Sequence, residues 1–505
     1  MYLAISDEQI ELCDADDVWG LPTSQTEAAI RRAWGDSQVK VAAIGPAGEN
    51  TVRFASIQVT SQRSLGRCGL GAVMGSKQLK AIAVRGRGLV RVADPARFHE
   101  LAVEFHRRIR ANPIYPAVSA HGTPGIVSLM DALGRFPTRN FQLGSFAEVD
   151  QINAEALEAR AFVRHLACFG CPIGCDALYS LSDGPHAGTS LHSVEYETLN
   201  SMRANVMNAD LDSISAGRSI SFAMELWEND ILNRGDTGGL KLRWGDMDVV
   251  LRLLEMIARR EGFGDLLAEG VRRAAQTIGR GAGEYAMHVK GMEIPAQDGR
   301  AQKSMGLAHV TSNRGADHLK AFPTIDETGY PDEALRRYGE EYLPEMAQPL
   351  ATKHKPLLVK DGEDFGAVVD SVGVHTAPLL QGLGWFGKTL ARLERWMDER
   401  GHACPGDLRG LALLHLREST SHPSTLDALS TSGHRAPLAF AFDAEACTWC
   451  GRCVTVCAYH ARRLTSREEM LLDEHLCRSC GLCISVCPTE ALRWLPDSSV
   501  QIPGK

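Results

Sequence analysis

Two runs of closely spaced cysteines near the end of the chain carry the strongest chemical signal in the sequence. The runs are CTWCGRCVTVC and CRSCGLCISVC, and each has the spacing C-x₂-C-x₂-C-x₃-C. This spacing is typical of proteins with two 4Fe–4S clusters, in which the fourth cysteine of each run binds the other cluster. A pair of zinc sites is the alternative, which the paired order of eight cysteines disfavours. The predicted ligands are Cys447, Cys450, Cys453 and Cys487 for cluster one, and Cys477, Cys480, Cys483 and Cys457 for cluster two.

A third group of cysteines lies in the body of the chain, within the segment ACFGCPIGC. Cys168, Cys171 and Cys175 form a C-x₂-C-x₃-C loop. Three cysteines in a short loop with a distant fourth ligand suit a further 4Fe–4S cluster. A zinc site or an incidental cluster of thiols is the alternative on spacing alone. In a reducing compartment such clustering favours metal ligation over disulfide bonds.

The elements that must position these cysteines divide the chain into four parts. Residues 1–92 hold short β-branched or alternating runs that predict strands: LAIS, QIEL, VKVAAIGP, VRFASIQV and LKAIAVRG. One helix, AAIRRAW, interrupts them, with a capping box predicted from Ser24 and Glu27. Residues 93–417 are mainly helical in pattern, residues 418–439 predict a linker rich in Ser, Thr, His and Pro, and residues 440–505 hold the paired runs.

Four segments of the middle part have helical periodicity. They are PARFHELAVEFHRRIRAN, the segment whose apolar face includes Val249 and Ile257, DEALRRYGEEYL and GKTLARLERWMDER. The predicted fold class is therefore α+β and multidomain. It comprises a β-rich N-terminal domain, mainly α-helical middle domains and a small ferredoxin-like α+β C-terminal domain.

Length and composition exclude several classes of protein. The 505 residues, 44% hydrophobic and 23% charged, suit a soluble globular protein of roughly three domains. A net charge of −8 argues against a nucleic-acid partner. No apolar run reaches the roughly 18 residues of a membrane span, and the N-terminus lacks the pattern of a signal peptide. The sequence therefore predicts a cytoplasmic protein.

Ten segments of the body, in order, resemble the tungsten- or molybdenum-dependent aldehyde:ferredoxin oxidoreductase family. The segments are DADDVWG, KVAAIGPAGENTVRFASI, GRCGLGAVMGSKQLKAIAV, ACFGCPIGC, VEYET, LDSISAG, ARREGFGDLLAEG, EIPAQD, SNRGADHLK and DSVGVH. The resemblance implies a W or Mo bis-pterin cofactor that oxidises aldehydes to acids. It also implies an adjacent 4Fe–4S cluster that passes the electrons to ferredoxin. The C-terminal 55 residues or so resemble 2×(4Fe–4S) ferredoxins, which gives three clusters in one chain.

The resemblance assigns cofactor contacts to particular residues. An arginine beside glycine-rich backbone is a suitable anion cradle, and a carboxylate accepts hydrogen bonds from the N–H groups of a pterin. Taken alone, these residues would be read as a tight turn with a surface arginine and as two helix caps. The residues that match the pterin motifs are Arg63, Ser64, Gly66, Asp212 and Asp370.

Two further residues match the acid and the histidine of the family's active site. Aldehyde oxidation needs a proton acceptor for water or the hydrate and a donor toward the carbonyl oxygen. Glu197 is accordingly predicted to be the general base and His318 the hydrogen-bond donor or acid. In this family the pterin sulfurs hold the metal, so no protein ligand to the metal is expected.

The chain departs from the family pattern in three places. It begins midway through the family's first domain, which predicts an open sheet edge and an uncovered apolar face unless a separate chain completes the domain. His375 stands where the family has the fourth cluster cysteine, and the alternatives are a three-cysteine 3Fe–4S cluster or Cys404 as the ligand. The stretch between VEYET and LDSISAG, and the part between DSVGVH and the C-terminal unit, also look shorter than in the family.

Three functions remain open from the sequence. The leading hypothesis is an aldehyde-oxidising enzyme with a small carbonyl substrate and with ferredoxin or an electron-transfer subunit as its partner. The same scaffold running in the reducing direction, on aromatic thioesters, is the second. A non-catalytic iron–sulfur electron-transfer subunit that has lost its metal site is the third.

Overall fold

The computed structural model describes most of the chain up to residue 372 and much of the C-terminal part. The described residues are 1–7, 9–59, 63–86, 94–168, 170–180, 190–192, 211–327, 329–372, 440–457, 461–465, 469–473, 477, 482–485, 487, 489 and 491–494. Glu197, His375, Cys404, Cys480, the predicted helix GKTLARLERWMDER and the predicted linker lie outside them. Helices and mixed sheets are combined within the described residues, so the fold is α+β and multidomain.

A six-stranded mixed sheet forms the N-terminal part. The strand order is β2-β1-β6-β3-β4-β5, in which only the β1–β6 pair is parallel. The five predicted strand runs are confirmed, although VRFASIQV is a strand only at its end. The strands are β1 (Tyr2–Ser6), β2 (Ile10–Cys13), β3 (Lys40–Ala43), β4 (Ile57–Val59), β5 (Arg63–Leu65) and β6 (Ala81–Arg85), and the helices are α1 (Thr23–Trp34), α2 (Pro46–Glu49) and α3 (Leu70–Ser76).

The predicted capping box at the start of α1 is wrong. The helix begins at Thr23, so Ser24 already lies inside it, and Pro22 at the cap position offers no side-chain hydrogen bond. Glu27 instead pairs with Arg31 one turn later, with 2.7 Å between their charged atoms. Proline at this boundary fixes the backbone without an acceptor side chain, and this outweighs the sequence pattern.

The two faces and the edge of the N-terminal sheet differ in how far other elements bury their apolar side chains. One face packs against α1, where Ile30, Val41 and Ala83 are buried. On β2, which is an edge strand, Ile10 and Leu12 are 73% and 64% exposed and lie on the same side of the strand. The predicted open edge is present at β2. The second face of the sheet is not left bare as predicted, because Ile44, Ile57 and Met74 of α3 form an apolar cluster on it.

The middle part combines helices with two small antiparallel sheets, β7-β8-β9 and β10-β11. Its helices are α4 (Pro95–Arg110), α5 (Tyr115–His121), α6 (Val127–Ala132), α7 (Ala154–Ala161), α8 (Ser213–Glu228), α9 (Met247–Arg259), α10 (Phe263–Leu267), α11 (Val271–Ile278), α12 (Lys303–Thr311), α13 (Pro331–Tyr338) and α14 (Lys355–Val372). Its strands are β7 (Phe162–Leu166), β8 (Asp176–Ser180), β9 (Ser190–His192), β10 (His288–Val289) and β11 (Met292–Glu293). DEALRRYGEEYL is not one helix, because Gly339 has φ 103° and ends α13 before a short 3₁₀ turn.

Helix α8 joins the N-terminal sheet to the helical part. Most of its residues are buried, and Ile220 and Phe222 belong to the same core as Phe54, which precedes β4. The backbone N–H of Asp212, the cap of α8, donates to the carbonyl oxygen of Phe54 at 2.8 Å. The loops around β4 and β5 are thereby fixed against the helices that carry the other predicted site residues.

The C-terminal part repeats one small unit. A short helix lies within each cysteine run, and two antiparallel strand pairs, β12–β15 and β13–β14, surround them. Their bounds are β12 (Phe440–Phe442), α15 (Arg452–Thr455), β13 (Arg462–Leu464), β14 (Met470–Leu472), α16 (Leu482–Ser485) and β15 (Leu492–Trp494). Across the whole described part of the chain, no helix combines the length and apolar character that crossing a membrane requires.

Candidate redox site

The body cysteines lie in a hairpin loop that the sequence did not predict. Strands β7 and β8 pair antiparallel, with Leu166 opposite Asp176, so that the cysteine loop connects their ends. Gly170 and Gly174 have φ of 65° and 58°, a conformation that other residues adopt only at a cost. The loop therefore turns tightly enough to bring Cys168, Cys171 and Cys175 close together.

The three thiols influence one another strongly. Burial, together with the negative charges of Cys171 and Cys168, raises the pKa of Cys175 to about 11. Burial also raises the pKa of Cys171, although backbone N–H groups of Ile173 and Gly174 partly stabilise its thiolate. Three neighbouring thiolates need compensating positive charge, which iron supplies. The loop thus fits the predicted 4Fe–4S cluster in its donor atoms.

Arg63 connects the N-terminal sheet to this loop. Its guanidinium donates to a carboxylate oxygen of Asp176 at 2.8 Å and to Cys168 Sγ at 2.9 Å. Burial would lower the pKa of Arg63, but Asp176 and Cys168 together hold that pKa above its ordinary value. The sequence predicted Arg63 as a pterin contact, and the structure places it at the cluster cysteine.

The other two members of the predicted anion cradle continue the same strand and turn. Ser64 lies in β5, where its Oγ accepts a hydrogen bond from Gln58 at 3.3 Å. Gly66 follows directly and precedes the turn that leads into α3. Their roles as pterin contacts stay predictions.

Arg67, which was not predicted as a site residue, lies at the centre of the loops that carry the predicted pterin motifs. It donates to the carbonyl oxygens of Glu293 at 2.6 Å and Ala316 at 2.8 Å, and its Nε lies 3.4 Å from Asp212 Oδ2. It thereby joins the motifs GRCGLG, EIPAQD, GADHLK and LDSISAG. Its position next to Gly66 within a matched motif was the available signal.

Two buried carboxylates lie around this arginine. Asp212 accepts from the backbone N–H of Ile214 at 3.2 Å and from Ser215 Oγ at 2.6 Å, so it caps α8 as the alternative reading proposed. Glu293 accepts from the backbone N–H of Val271 at 3.0 Å. Burial raises the pKa of both carboxyl groups. Asp212 is therefore engaged within the chain, and any contact with a pterin would use its remaining acceptor capacity.

Several buried polar atoms in these motifs have no protein partner among the described residues. They are Ser219 Oγ on α8, Gln297 Oε1 in EIPAQD and His309 Nε2 on α12. Burial lowers the pKa of His309 to about 4, assisted by the charges of His318 and Arg67, so its imidazole is neutral. Unsatisfied buried donors and acceptors are costly unless a polar ligand meets them. The residues present thus fit a pterin, whose ring carries both donors and acceptors.

His318, the predicted acid, is buried beside a second titratable group. Burial raises the pKa of Glu327 to about 7, while the charges of Arg135 and His318 act in the opposite direction. Arg135 also donates to the backbone carbonyl of Glu327. Glu327 was not selected from the sequence, because nothing in its local pattern indicates that the fold will bury it.

Asp370, the second predicted pterin aspartate, lies near the end of α14. Its side chain is 61% exposed and pairs with Lys320 Nζ at 2.5 Å. Unlike the buried Asp212, Asp370 is exposed, and its role as a pterin contact stays a prediction.

The four cysteines predicted for cluster one line a single cavity in the C-terminal part. Phe442, Trp449, Met470 and Leu492 complete the wall of this cavity. Its cysteines are Cys447, Cys450 and Cys453 of the first run and Cys487 of the second. Cys487 of the second run thus lies with three cysteines of the first run, which is the grouping that the spacing predicts.

The described cysteines of cluster two are also brought together across the runs. Cys457 and Cys483 lie close enough for the charge of one to raise the pKa of the other, and burial raises that of Cys483 most. Arg462, which is buried, donates from Nε to Cys483 Sγ at 3.1 Å. Within the described ranges no three His, Cys, Asp or Glu side chains are placed to hold a single metal ion.

Family models match almost the whole described chain. The N-terminal domain of aldehyde ferredoxin oxidoreductase matches residues 1–86, and domains 2 and 3 of the same protein match residues 100–381. A 4Fe-4S dicluster domain matches residues 440–491. The fold and the site thus define an iron–sulfur oxidoreductase scaffold with an attached dicluster unit. The chain belongs to the aldehyde ferredoxin oxidoreductase family.

Individual relatives agree with this assignment. The tungsten-containing aldehyde ferredoxin oxidoreductase of Pyrococcus horikoshii is 40% identical over 76% of this chain and 66% of its own length. The Pyrococcus furiosus protein of the same name is 39% identical over 74% of this chain and 62% of its own length. The chain thus spans less than two thirds of these relatives' length. The active-site complex BamBC of benzoyl coenzyme A reductase has a similar structure, with a TM-score of 0.59, 27% identity and coverage of 74% of this chain and 63% of that chain.

Glu327→Gln is expected to change how stability depends on pH. The carboxyl is expected to ionise with a pKa near 4.5 in the unfolded chain and about 7 in the fold. Its stabilising contribution is therefore complete below pH 4.5 and lost as the pH rises through 7. The neutral glutamine avoids that loss, so the apparent Tm of the variant should exceed that of the parent by a few degrees at pH 8.5, and by little at pH 5.

Glu333→Gln is the matched control for this measurement. Hydrogen bonds from Arg336 and Arg337 outweigh burial and lower the pKa of Glu333. Its stabilisation is present above its unfolded pKa, so this variant should lower the Tm at pH 8.5. If the Glu327 variant changed the Tm by the same amount at pH 5 and pH 8.5, the raised pKa of Glu327 would be contradicted.

Arg462→Gln is expected to lower the reduction potential of cluster two. The substitution removes a buried positive charge and the N–H that donates to Cys483 Sγ, both of which favour the more negative, reduced cluster. We expect a shift on the order of 50 mV, since about 59 mV is a tenfold change in a one-electron equilibrium. Potentiometric titration followed by EPR measures it. Arg463→Gln is the control, because Arg463 is an exposed neighbour of Arg462. If both variants shifted the reduction potential of cluster two equally, the contact of Arg462 with Cys483 would not be the cause.

Proposed function

We propose that the chain oxidises an aldehyde to a carboxylic acid at a tungsten- or molybdenum-pterin site and passes the electrons through its iron–sulfur clusters. The observation that carries the proposal is the contact of Arg63 with Cys168. It joins the sheet that holds the predicted pterin contacts directly to the cluster loop. A two-electron site placed against a one-electron carrier is the arrangement that this oxidation requires. The 40% identity to tungsten-containing relatives supports the same chemistry.

The reaction is a two-electron oxidation in which water supplies the added oxygen. An aldehyde and one water give a carboxylic acid, two protons and two electrons. When bound, the metal-pterin would accept the two electrons. The residues of this chain would handle the protons, with Glu197 as the base toward water and His318 as the donor toward the carbonyl oxygen.

The surroundings of His318 support its part in this reaction. The side chain is only 6% exposed, so a hydrogen bond from it to a carbonyl would form away from competing water. Glu327 interacts with the charge of His318 and has a pKa of about 7. Such a carboxyl can accept and release a proton near neutral pH, which makes it a reservoir for protons leaving the site.

The cofactor set and partners belong to the same proposal. We propose three 4Fe–4S clusters: the body cluster, with Cys168, Cys171, Cys175 and His375 as ligands, and the two C-terminal clusters. Electrons would leave through the C-terminal clusters to ferredoxin or a partner subunit in the cytoplasm. The exposed Ile10 and Leu12 on edge strand β2 support a separate chain that completes the N-terminal sheet.

Elemental analysis of the purified chain, with any co-purifying small subunit, tests the proposal first. Three cubanes beside one pterin-bound metal imply about twelve Fe per W or Mo. Aldehyde-dependent reduction of a viologen should accompany that ratio. Iron without W or Mo would favour the electron-transfer subunit. Activity only in the reducing direction with a low-potential donor would overturn aldehyde oxidation as the function.

His318→Asn should lower kcat for aldehyde oxidation by about 10²- to 10⁴-fold, the usual range for loss of general acid–base catalysis. The metal and iron contents should stay unchanged, since His318 is not a predicted ligand. His121→Asn is the control, because His121 is partly exposed on α5 and pairs with Glu158 at 2.7 Å. A kcat for His318→Asn within threefold of the control would remove His318 from the mechanism.

A further inference from the structure

Two neighbouring helices contact both cysteine-bearing parts of the chain. Helices α4 and α5 follow one another and pack together. The first reaches the C-terminal unit and the second holds the body cysteine loop. No feature of the predicted site uses these helices, and their sequence carries no cysteine.

Helix α5 holds the cysteine loop through two hydrogen bonds. Tyr115 donates from its hydroxyl to the carbonyl oxygen of Pro172 at 3.1 Å. Ser119 donates from Oγ to the carbonyl oxygen of Ile173 at 2.7 Å. These two residues are four positions apart and so lie on one face of the helix. Both acceptors lie between Cys171 and Cys175.

Helix α4 presents a second face to the C-terminal unit. Val103 packs against the apolar cluster that contains Cys453, Cys483 and Cys487. His99 lies near the charge of Arg452, a residue of the cluster-one cavity. His99, Val103 and His106 are spaced four and three residues apart, which places them on one stripe of the helix. Glu104 and Arg107 lie beside this stripe and pair with each other, and the Arg107 side chain is 68% exposed.

His106 lies where the two parts meet. The imidazole lies close to the backbone of Gly170, in the body cysteine loop, and of Val456, between Cys453 and Cys457. The side chain is 7% exposed. A single buried ring therefore contacts the backbone next to the ligands of the body cluster and of both C-terminal clusters.

We propose that the α4–α5 pair is a docking platform that fixes the C-terminal dicluster unit against the body cysteine loop, with His106 as its positioning residue. The proposal extends the proposed function, because it assigns the route by which electrons leave the body cluster. In each transfer the body cluster is oxidised by one electron and a C-terminal cluster is reduced by one. Since electron tunnelling slows steeply with distance, a docked unit transfers faster than a tethered one.

The test uses the full chain reduced with dithionite, so that it does not depend on aldehyde oxidation. EPR spectra of the reduced protein report the magnetic interaction between the body cluster and the C-terminal clusters. Val103→Asp places a charge in the apolar contact without touching the body loop. We expect it to remove that interaction and to slow intramolecular electron transfer at least tenfold, with the iron content unchanged.

Arg107→Gln is the matched control, because Arg107 lies on the solvent side of the same helix with its side chain 68% exposed. It should behave as the parent does. His106→Leu tests the positioning residue independently of Val103, and His106→Gln should restore part of the interaction because it retains an N–H donor. The proposal is overturned if Val103→Asp and His106→Leu, both with full iron content, keep the parental spectra and transfer rate. If the variants behave as expected in the EPR and transfer measurements but the chain oxidises no aldehyde, the proposed function is wrong and the docking proposal is still supported.

Discussion

The paired contact of Arg63 with Asp176 and Cys168 is the constraint on which the site depends. Asp176 is almost inaccessible to solvent, so separating the sheet from the hairpin would leave its carboxylate buried without its arginine. A buried charge that loses its partner costs about 3–5 kcal/mol. The same guanidinium offsets the negative charge of the cysteine loop. One side chain thus fixes the relative position of the predicted pterin contacts and the predicted cluster, and the geometry of electron transfer follows from it.

Buried ion pairs fix the remaining junctions in a similar way. Lys80 Nζ lies 2.5 Å from Glu49 Oε1, and Glu49 also accepts from the backbone N–H of Gly20. Lys355 Nζ lies 2.8 Å from Asp326 Oδ2, in the segment that leads to Glu327. Such pairs contribute little net stability, because desolvation offsets their attraction. Their effect is on position, because each pair holds a loop in one place. The Lys355–Asp326 pair thereby also positions the neighbouring Glu327, whose pKa is raised by burial.

The sequence predicted the residues whose spacing is local and missed those whose position depends on the fold. The grouping of Cys487 with three cysteines of the first run follows from the spacing of the two cysteine runs, and five of the six strands of the N-terminal sheet follow from its alternating segments; β5 was not predicted. Arg67 was missed because its partners Glu293 and Ala316 are more than 200 residues away in the chain, and only its place in a matched motif indicated it. Glu327 and His106 were missed for the same reason, since burial by distant segments leaves no local pattern. The prediction of a capping box at Ser24 was wrong because Pro22 is the cap of the helix, two residues earlier.

The two arginine–sulfur contacts have a common physical meaning. Arg63 donates to Cys168 in the body, and Arg462 donates to Cys483 in the C-terminal unit. Each reduction adds negative charge to a cluster that thiolates already make negative. Cys453 and Cys483 are close enough to influence each other, and Arg462 acts on both of them. Without a cation between the two C-terminal clusters, the first electron would make the second harder to accept. A buried arginine lowers that repulsion, and so favours a C-terminal unit in which both clusters can be reduced.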